Sequence, residues 1–315
     1  MRGAPEAINR ANFRESPAEG VLVRLKFMFC LAAVLLIASP CFPAGFTEND
    51  LKDRQRHGDY EARVYRGEDG FGQFKIFRKG REVYSRDGFC FKIGLMDEQS
   101  TRRDLVRMGN DITGDGEPDL LVSEWTGGAH RRYIFYLFQI GKEFKELEII
   151  ENDDGCEGYF EDIDGDGSME FIGKDYVFSD WHASFACSPF PRVILKCHRG
   201  KYRLALGLMT TPLPAKDKEQ EVLAEIKERQ ERLAAAQASA SDAWIYNDVV
   251  LPSEVWGYML DLIYSGHPRE AWLFLDKVWP QGAPGKEEFI KDFKKQLSMS
   301  YYWDSIKHPV SWTFP

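Results

Sequence analysis

The chain has 315 residues, 43% of them hydrophobic and 14% aromatic, which is enough apolar surface to bury a core and excludes a wholly disordered chain. The formal net charge is −9, and residues 1–44 carry five basic and three acidic side chains, so residues 45–315 carry −11. An acidic body of this kind repels nucleic acid and anionic membrane surfaces, which excludes electrostatic binding to either and favours cations as partners.

The first 44 residues have the pattern of a leader. Arg24 and Lys26 precede an uncharged apolar run at residues 27–38, and Pro40 and Pro43 follow it. A run of about 12 residues spans only about 18 Å as a helix, less than the ~30 Å hydrocarbon core of a bilayer. We therefore predict a signal peptide and an exported protein, located in the periplasm, at the cell surface or in the medium. An uncleaved N-terminal membrane anchor is the alternative, and the polar residues 1–20 leave the true start codon open.

Two of the six cysteines fall in this leader, and four fall in the body of the chain, at Cys90, Cys156, Cys187 and Cys197. In an oxidising compartment four cysteines allow three disulfide connectivities. We predict Cys187–Cys197, which closes a short loop, together with Cys90–Cys156. A zinc site that uses Cys187, Cys197 and His198 is the alternative.

The region from residue 60 to residue 206 has the composition of β-strands separated by turns. Strands are predicted at residues 60–65, 74–77, 120–122, 133–139, 144–150, 170–172, 193–197 and 202–206. A unit of strand, glycine turn and strand recurs as FKIFRKGREVY, FYLFQIGKEFKEL and VILKCHRGKYRLA, with Gly80, Gly141 and Gly200 in the turns. This pattern indicates a structural repeat, although three ordinary β-hairpins would give a similar pattern.

Beyond residue 210 the composition favours helices. A long helix is predicted at residues 217–240, with a capping box at Asp217 and Gln220, and shorter helices follow at 253–264, 269–278 and 287–297. The predicted fold class is thus a β-rich N-terminal domain, a partial β-propeller or propeller-like blades, followed by an α-helical domain. The predicted boundaries are 1–44 for the leader, 45–209 for the β-rich domain and 210–315 for the helical domain.

Two glycine-rich acidic segments are the candidate metal sites. In DIDGDGSME, residues 162–170 (the second loop), the expected ligands are Asp162, Asp164, Asp166, the backbone carbonyl of Ser168, and Glu170. In DITGDGEPD, residues 111–119 (the first loop), they are Asp111, Thr113, Asp115, the carbonyl of Glu117, and Asp119. Calcium takes six to eight oxygen ligands, and the glycines let the backbone turn tightly around the ion. We therefore predict two Ca²⁺ sites; the alternative is a pair of metal-free turns.

These segments are not EF-hands, because Val122 and Gly173 stand where that motif needs a carboxylate. They resemble the calcium loops of the FG-GAP and VCBS repeat families, known from the β-propellers of integrin α-subunits, in which D-x-D/N/T-G-D-G-x-x-D precedes a hydrophobic strand. DITGDGEPDLLV and DIDGDGSMEFI carry this pattern, with Glu170 in place of the final Asp, and IGKEF resembles its Gly-x-x-aromatic ending. The resemblance covers residues 107–206 and implies calcium binding by the ligands above and a propeller-like blade for each repeat. A closed propeller needs at least about four blades, so a small barrel and a distorted sandwich are also open.

The sequence contains no GxSxG elbow, phosphate-binding glycine loop or HExxH motif. The leading hypothesis is an exported, non-enzymatic structural and interaction protein, in which two Ca²⁺ ions stabilise β-repeats that present a binding surface to a protein or glycan of the cell envelope. No nucleic-acid partner is expected, and membrane contact is expected only through the possible anchor. One alternative is an envelope hydrolase with an acidic cleft that uses His182, near Asp180 and Ser184. The other is an adaptor whose helical C-terminal tail binds a protein partner.

Overall fold

The computed structural model describes residues 46–96, 101–128, 132–152, 158–237, 243–247 and 249–307. Residues Phe46–Pro315 form one compact unit. The predicted leader lies outside the described residues. Within the ranges above, no helix combines the length and the apolar composition that a membrane crossing requires.

Three four-stranded antiparallel sheets follow one another along the chain, each with its strands in sequence order. The first sheet contains β1 (Leu51–His57), β2 (Tyr60–Arg66), β3 (Gly72–Arg78) and β4 (Arg81–Gly88); the second contains β5 (Cys90–Ile93), β6 (Asp119–Trp125), β7 (Tyr133–Ile140) and β8 (Phe144–Asn152). The third contains β9 (Tyr159–Glu161), β10 (Glu170–Lys174), β11 (Arg192–His198) and β12 (Lys201–Leu204). The predicted β-rich structure of this region is confirmed, and its described residues show neither a closed barrel nor a closed propeller.

The recurring unit of the sequence corresponds to the last two strands of each sheet. Its three copies are the hairpins β3–β4, β7–β8 and β11–β12. Gly80 and Gly200, at φ 79° and 75°, each follow a left-handed residue in a two-residue turn, as tight hairpins require. Gly141 has no positive φ because its turn is one residue longer. The chain therefore contains three sheets of one design.

The sequence pattern does not predict the first strand of any of these three four-stranded sheets, and each omission has a physical reason. In β1 (LKDRQRH) all residues but one are polar, and none is fully buried. Strands β5 and β9 have only four and three residues. Polar or very short strands are typical of sheet edges, where they discourage pairing with another chain, and they leave little hydrophobic alternation to detect.

The second sheet is covered on both faces. In β7, Tyr136, Phe138 and Ile140 pack with the first sheet, whereas Phe135 and Leu137 pack with the third. Alternate side chains of a strand point to opposite faces, so a strand buried on both faces is apolar at nearly every position. The near-continuous apolar sequence YIFYLFQI is the consequence.

The C-terminal region contains six helices and one hairpin among its described residues. They are α1 (Leu206–Met209), α2 (Lys216–Ala235), β13 (Ala243–Tyr246), β14 (Val249–Pro252), α3 (Ser253–Tyr264), α4 (Pro268–Val278), α5 (Lys286–Leu297) and α6 (Trp303–Ile306). The three shorter predicted helices are confirmed to within one residue. The predicted capping box is wrong, because the N-cap of α2 is Ala215, which makes no side-chain cap, and Asp217 lies inside the first turn.

One apolar cluster joins the end of the β-rich region to the helices. Phe178 and Trp181, which follow β10, and Val193 of β11 are buried with Trp256 of α3 and Phe293 of α5. Sheets and helices therefore share a core across residues 209 and 210.

A buried carboxylate also crosses this junction. Asp175 is 4% exposed, and its Oδ2 accepts hydrogen bonds of 2.5 Å from the hydroxyls of Tyr264 and Ser300. Its Oδ1 accepts the backbone N–H of Val177 at 2.9 Å. A carboxylate satisfied in this way fixes the relative positions of β10, α3 and the segment after α5.

The cysteines correct one prediction. Cys90, Cys187 and Cys197 are free thiols, so the predicted Cys187–Cys197 bond is wrong for this structure. Cys187 is exposed in a 3₁₀ turn, while the partly buried Cys197 lies in β11 against the apolar cluster of the second and third sheets. Cys156, the predicted partner of Cys90, lies outside the described residues.

Candidate metal centre

The two acidic loops occupy equivalent places in the fold. The first loop ends where β6 begins, and the second ends where β10 begins, and both are the second strand of their sheets. The last predicted ligand of each loop, Asp119 or Glu170, is the first residue of that strand and is fully buried. Equivalent positions are what a repeated metal loop requires.

Both loops wrap their backbone around the first aspartate. The carboxylate of Asp111 accepts the N–H groups of Gly114 and Gly116 at 2.7 and 2.8 Å. That of Asp162 accepts those of Gly165 and Gly167 at 2.7 and 3.0 Å. These four glycines have φ between 73° and 90°, a left-handed backbone that L side chains rarely adopt. The predicted tight turns at the glycines are confirmed.

The acidic residue at the third ligand position of each loop is held by a backbone hydrogen bond within the loop. The Oδ1 atoms of Asp115 and Asp166 each accept, at 2.9 Å, the N–H of the residue two places later, which is Glu117 or Ser168. The Glu117 side chain turns away, and its Oε2 accepts the N–H of Lys142 at 3.4 Å. The Ser168 side chain is buried, and among the described residues its hydroxyl has no hydrogen-bond partner.

Asp119 is the least satisfied acid of the first loop. Its Oδ2 accepts the N–H groups of Ile112 and Thr113 at 2.9 Å and the Thr113 hydroxyl at 3.1 Å. Its Oδ1 is buried and has no partner within the described ranges. Burial raises the pKa of Asp119 to about 7, against these hydrogen bonds, which lower it. The first loop therefore holds a buried carboxylate oxygen that lacks a counter-charge.

The second loop brings its carboxylates closest together. Asp162, Asp164 and Asp166 each place one oxygen within 4.8 Å of the others. Among the described residues the first loop forms no such group of three, since Thr113 holds the place of Asp164. Glu170 directs Oε2 to the N–H of Ile163 at 2.9 Å, as Asp119 does to that of Ile112.

Two residues missed by the sequence analysis face the loops from the neighbouring strands. Gln139 of β7 pairs with Asp119 across the sheet, and its Nε2 donates to Asp115 Oδ2 at 3.1 Å. The register of β10 and β11 places Lys196 opposite Glu170, with Nζ 2.5 Å from Asp164 Oδ2, 2.7 Å from Asp166 Oδ2 and 3.3 Å from Glu170 Oε1. Only the register of the recurring hairpins could have revealed them.

The two loops also touch each other. The N–H of Met169 donates to the carbonyl of Ile112 at 2.9 Å. A Cβ atom added to Gly114 would lie 2.9 Å from Cα of Ser168, whereas one added to Gly165, at the same place in the second loop, would meet nothing within 4 Å. Gly114 is therefore required for two reasons: its left-handed φ and its close contact with the backbone of Ser168.

The alternative sites do not assemble as predicted. His182 Nε2 lies 2.8 Å from Asp292 Oδ2 of α5, not beside Asp180, whose carboxylate accepts the Ser179 hydroxyl at 3.3 Å. Cys187, Cys197 and His198 form no metal-binding cluster within the described part of the chain.

Comparison with known proteins gives no match: no protein-family model, no curated protein and no solved structure is significantly similar to this chain.

Proposed function

We propose that this chain is an exported structural and interaction protein of the VCBS/FG-GAP type, whose first and second loops bind calcium and thereby fasten the starts of β6 and β10. The unpartnered, buried Oδ1 of Asp119 carries this proposal. A buried ionised oxygen without a partner is costly, and a bound divalent cation would remove that cost.

The residues present fit a hard cation. Asp111, Thr113, Asp115, Asp119 and the carbonyl of Glu117 would hold the ion in the first loop. The corresponding ligands in the second loop are Asp162, Asp164, Asp166, Glu170 and the carbonyl of Ser168. All are oxygen donors, which suits calcium and disfavours softer metals. The ion supplies charge neutralisation, while the chain's glycine N–H groups hold the first aspartates in place.

Thermal unfolding with and without calcium tests the metal role. We expect calcium to raise the melting temperature, since an ion at 100 times its dissociation constant stabilises the folded state by about 2.7 kcal/mol. Asp119→Asn should remove much of this shift. Asp59→Asn, the same charge change in the β1–β2 turn, should retain it. Equal melting temperatures in calcium and in chelator would refute the proposal.

A cleft beside the third sheet is the partner surface that we propose. It has a volume of about 390 Å³, and its lining residues include Tyr202, Tyr301, Tyr302, Glu148 and Glu151. Tyr301 is 82% exposed. Aromatic faces beside carboxylate acceptors suit a polyhydroxylated ligand, which offers apolar faces and hydroxyl donors, so we favour a glycan.

Binding to a panel of soluble cell-wall and capsular oligosaccharides tests this surface. Tyr301→Ala should weaken binding at least about tenfold, as the loss of a central aromatic contact does. Phe71→Ala, which changes an exposed aromatic residue of the first sheet, should not. If no oligosaccharide binds, or if both variants bind as the wild type does, the glycan surface is wrong while the calcium proposal stands.

A further inference from the structure

The side chain that faces each loop from the neighbouring strand differs in charge between the two loops. Gln139 and Lys196 lie on the third strand of their sheets, each opposite the last acid of the adjacent loop. Each reaches the aspartate at the third ligand position of its loop, because Gln139 donates to Asp115 at 3.1 Å and Lys196 donates to Asp166 at 2.7 Å. One side chain is neutral, and the other carries a positive charge.

Lys196 is enclosed by the second loop. An ammonium group has three donors, and the Nζ of Lys196 lies within 3.3 Å of carboxylate oxygens from Asp164, Asp166 and Glu170. Glu170 is fully buried, and the Lys196 side chain is 28% exposed. Unlike the exposed ion pairs elsewhere on the surface, this cation therefore faces a buried carboxylate.

Among the described residues the first loop has no such cation. Gln139 gives one N–H to Asp115, and the Oδ1 of Asp119 has no hydrogen-bond partner in the described part of the chain. Glu170 Oε1, at the same place in the second loop, also makes no hydrogen bond, but the ammonium group of Lys196 lies 3.3 Å from it. Both loops precede the second strand of a sheet of the same design, and residues 139 and 196 give the first loop a neutral amide and the second a cation. The loops also differ at Thr113 and Asp164 and at Asp119 and Glu170.

We propose that Lys196 is a built-in counter-ion of the second loop, which keeps that loop folded without calcium and lowers its affinity for calcium, so that calcium loads the first loop first. The order of loading rests on the proposed function, whereas the counter-ion role does not. A cation entering the second loop must displace the ammonium group or bind beside it, and both reduce the net gain from the same carboxylates.

Thermal unfolding in chelator tests the counter-ion role without any metal. Lys196→Gln, which copies the first loop, should lower the melting temperature by about 2–5 °C, since carboxylates left without their counter-charge repel one another. Lys174→Gln, an exposed change on β10 of the same sheet, should leave it unchanged. Gln139→Lys should raise the melting temperature, because it supplies the first loop with the missing charge; this gain remains measurable if Lys196→Gln does not fold. Unchanged melting of both loop variants would overturn the proposal.

Calorimetric titration with calcium tests the order of loading. In the wild type we expect one tight site that Asp119→Asn removes, and a second site that is at least about tenfold weaker. Lys196→Gln should tighten the second site about tenfold, and Gln139→Lys should weaken the first by a similar factor. If the wild type has two sites of equal calcium affinity, and Lys196→Gln changes neither affinity, the proposed order of loading is wrong. No calcium binding in any variant would refute the proposed function and the order together, while the measurements in chelator still decide the counter-ion role.

Discussion

Single residues decide how each acidic loop balances its charge. Glu170 and Asp119 are both fully buried at the start of a strand, yet one carboxylate faces the ammonium group of Lys196 and the other faces no cation among the described residues. Burial of a lone carboxylate favours its protonated form, which is the reason for the raised pKa of Asp119. If the first loop binds the proposed cation, we therefore expect it to gain more stability from that ion than the second loop does.

Asp119→Asn should therefore have opposite effects with and without calcium. In chelator at pH 8 we expect the variant to be more stable than the wild type by about 1–3 kcal/mol, because it removes a buried unpaired charge. The folded pKa of about 7 exceeds the unfolded value of 3.8, so the contribution of Asp119 to wild-type stability in chelator is fully present below pH 4 and is lost as the pH rises through 7. The difference between the two proteins should vanish near pH 4. Urea unfolding at pH 4, 6 and 8 measures it, and a difference that does not depend on pH would contradict this account.

At the scale of the elements, the sequence predicts the central strands and the helices far better than the edge strands. The apolar runs of β6 and β7 and the periodic pattern of α3 are recognisable in the sequence because these elements face the core. The edge strand β1 and the hairpin β13–β14 do not stand out, since their residues are polar or their strands have only four residues. For the loops, spacing predicts the glycine turns and the convergence of Asp162, Asp164 and Asp166, while the ligand role of these residues stays a prediction. Spacing does not predict that Lys196 contacts the second loop. This contact depends on the register between β10 and β11, whose first residues, Glu170 and Arg192, lie 22 positions apart.

The contact between the loops makes a prediction about glycine. Gly114→Ala should destabilise the protein more than Gly165→Ala, although both residues have a left-handed backbone of nearly equal φ. Each change costs about 1–2 kcal/mol for the backbone, and only the first adds a clash with Ser168, for a further 1–3 kcal/mol. Chemical denaturation of both variants in chelator makes the comparison. Equal losses of stability would show that the loops do not touch in solution.

At the scale of the whole molecule, the sheets and helices depend on each other. The shared cluster around Trp256 and the buried carboxylate of Asp175 both cross residues 209 and 210, where the composition of the sequence changes. A change of composition thus marks a change of secondary structure here, and not an end of the core. The chain should unfold as one cooperative body, without a separate helical transition.

Tyr264→Phe tests this coupling. The variant removes one of the two hydroxyls that donate to Asp175 Oδ2, and we expect a loss of about 1–3 kcal/mol. Tyr258→Phe, in the same helix, removes a partly buried hydroxyl that makes no hydrogen bond to the described residues, and should cost less. Fluorescence and circular dichroism followed through one denaturation series should give coincident curves. Separate curves for sheet and helix would show that the junction is weak.

The shared cluster also determines what can be learned from cutting the chain. A fragment of residues 211–315 would leave behind Phe178, Trp181 and Val193, and would present the bared faces of Trp256 and Phe293 to water. The exposed aromatic rings of this fragment would bind many proteins nonspecifically. This binding would say nothing about what the tail binds in the intact chain. Recognition by the tail is therefore better probed by point substitutions at its surface than by excision.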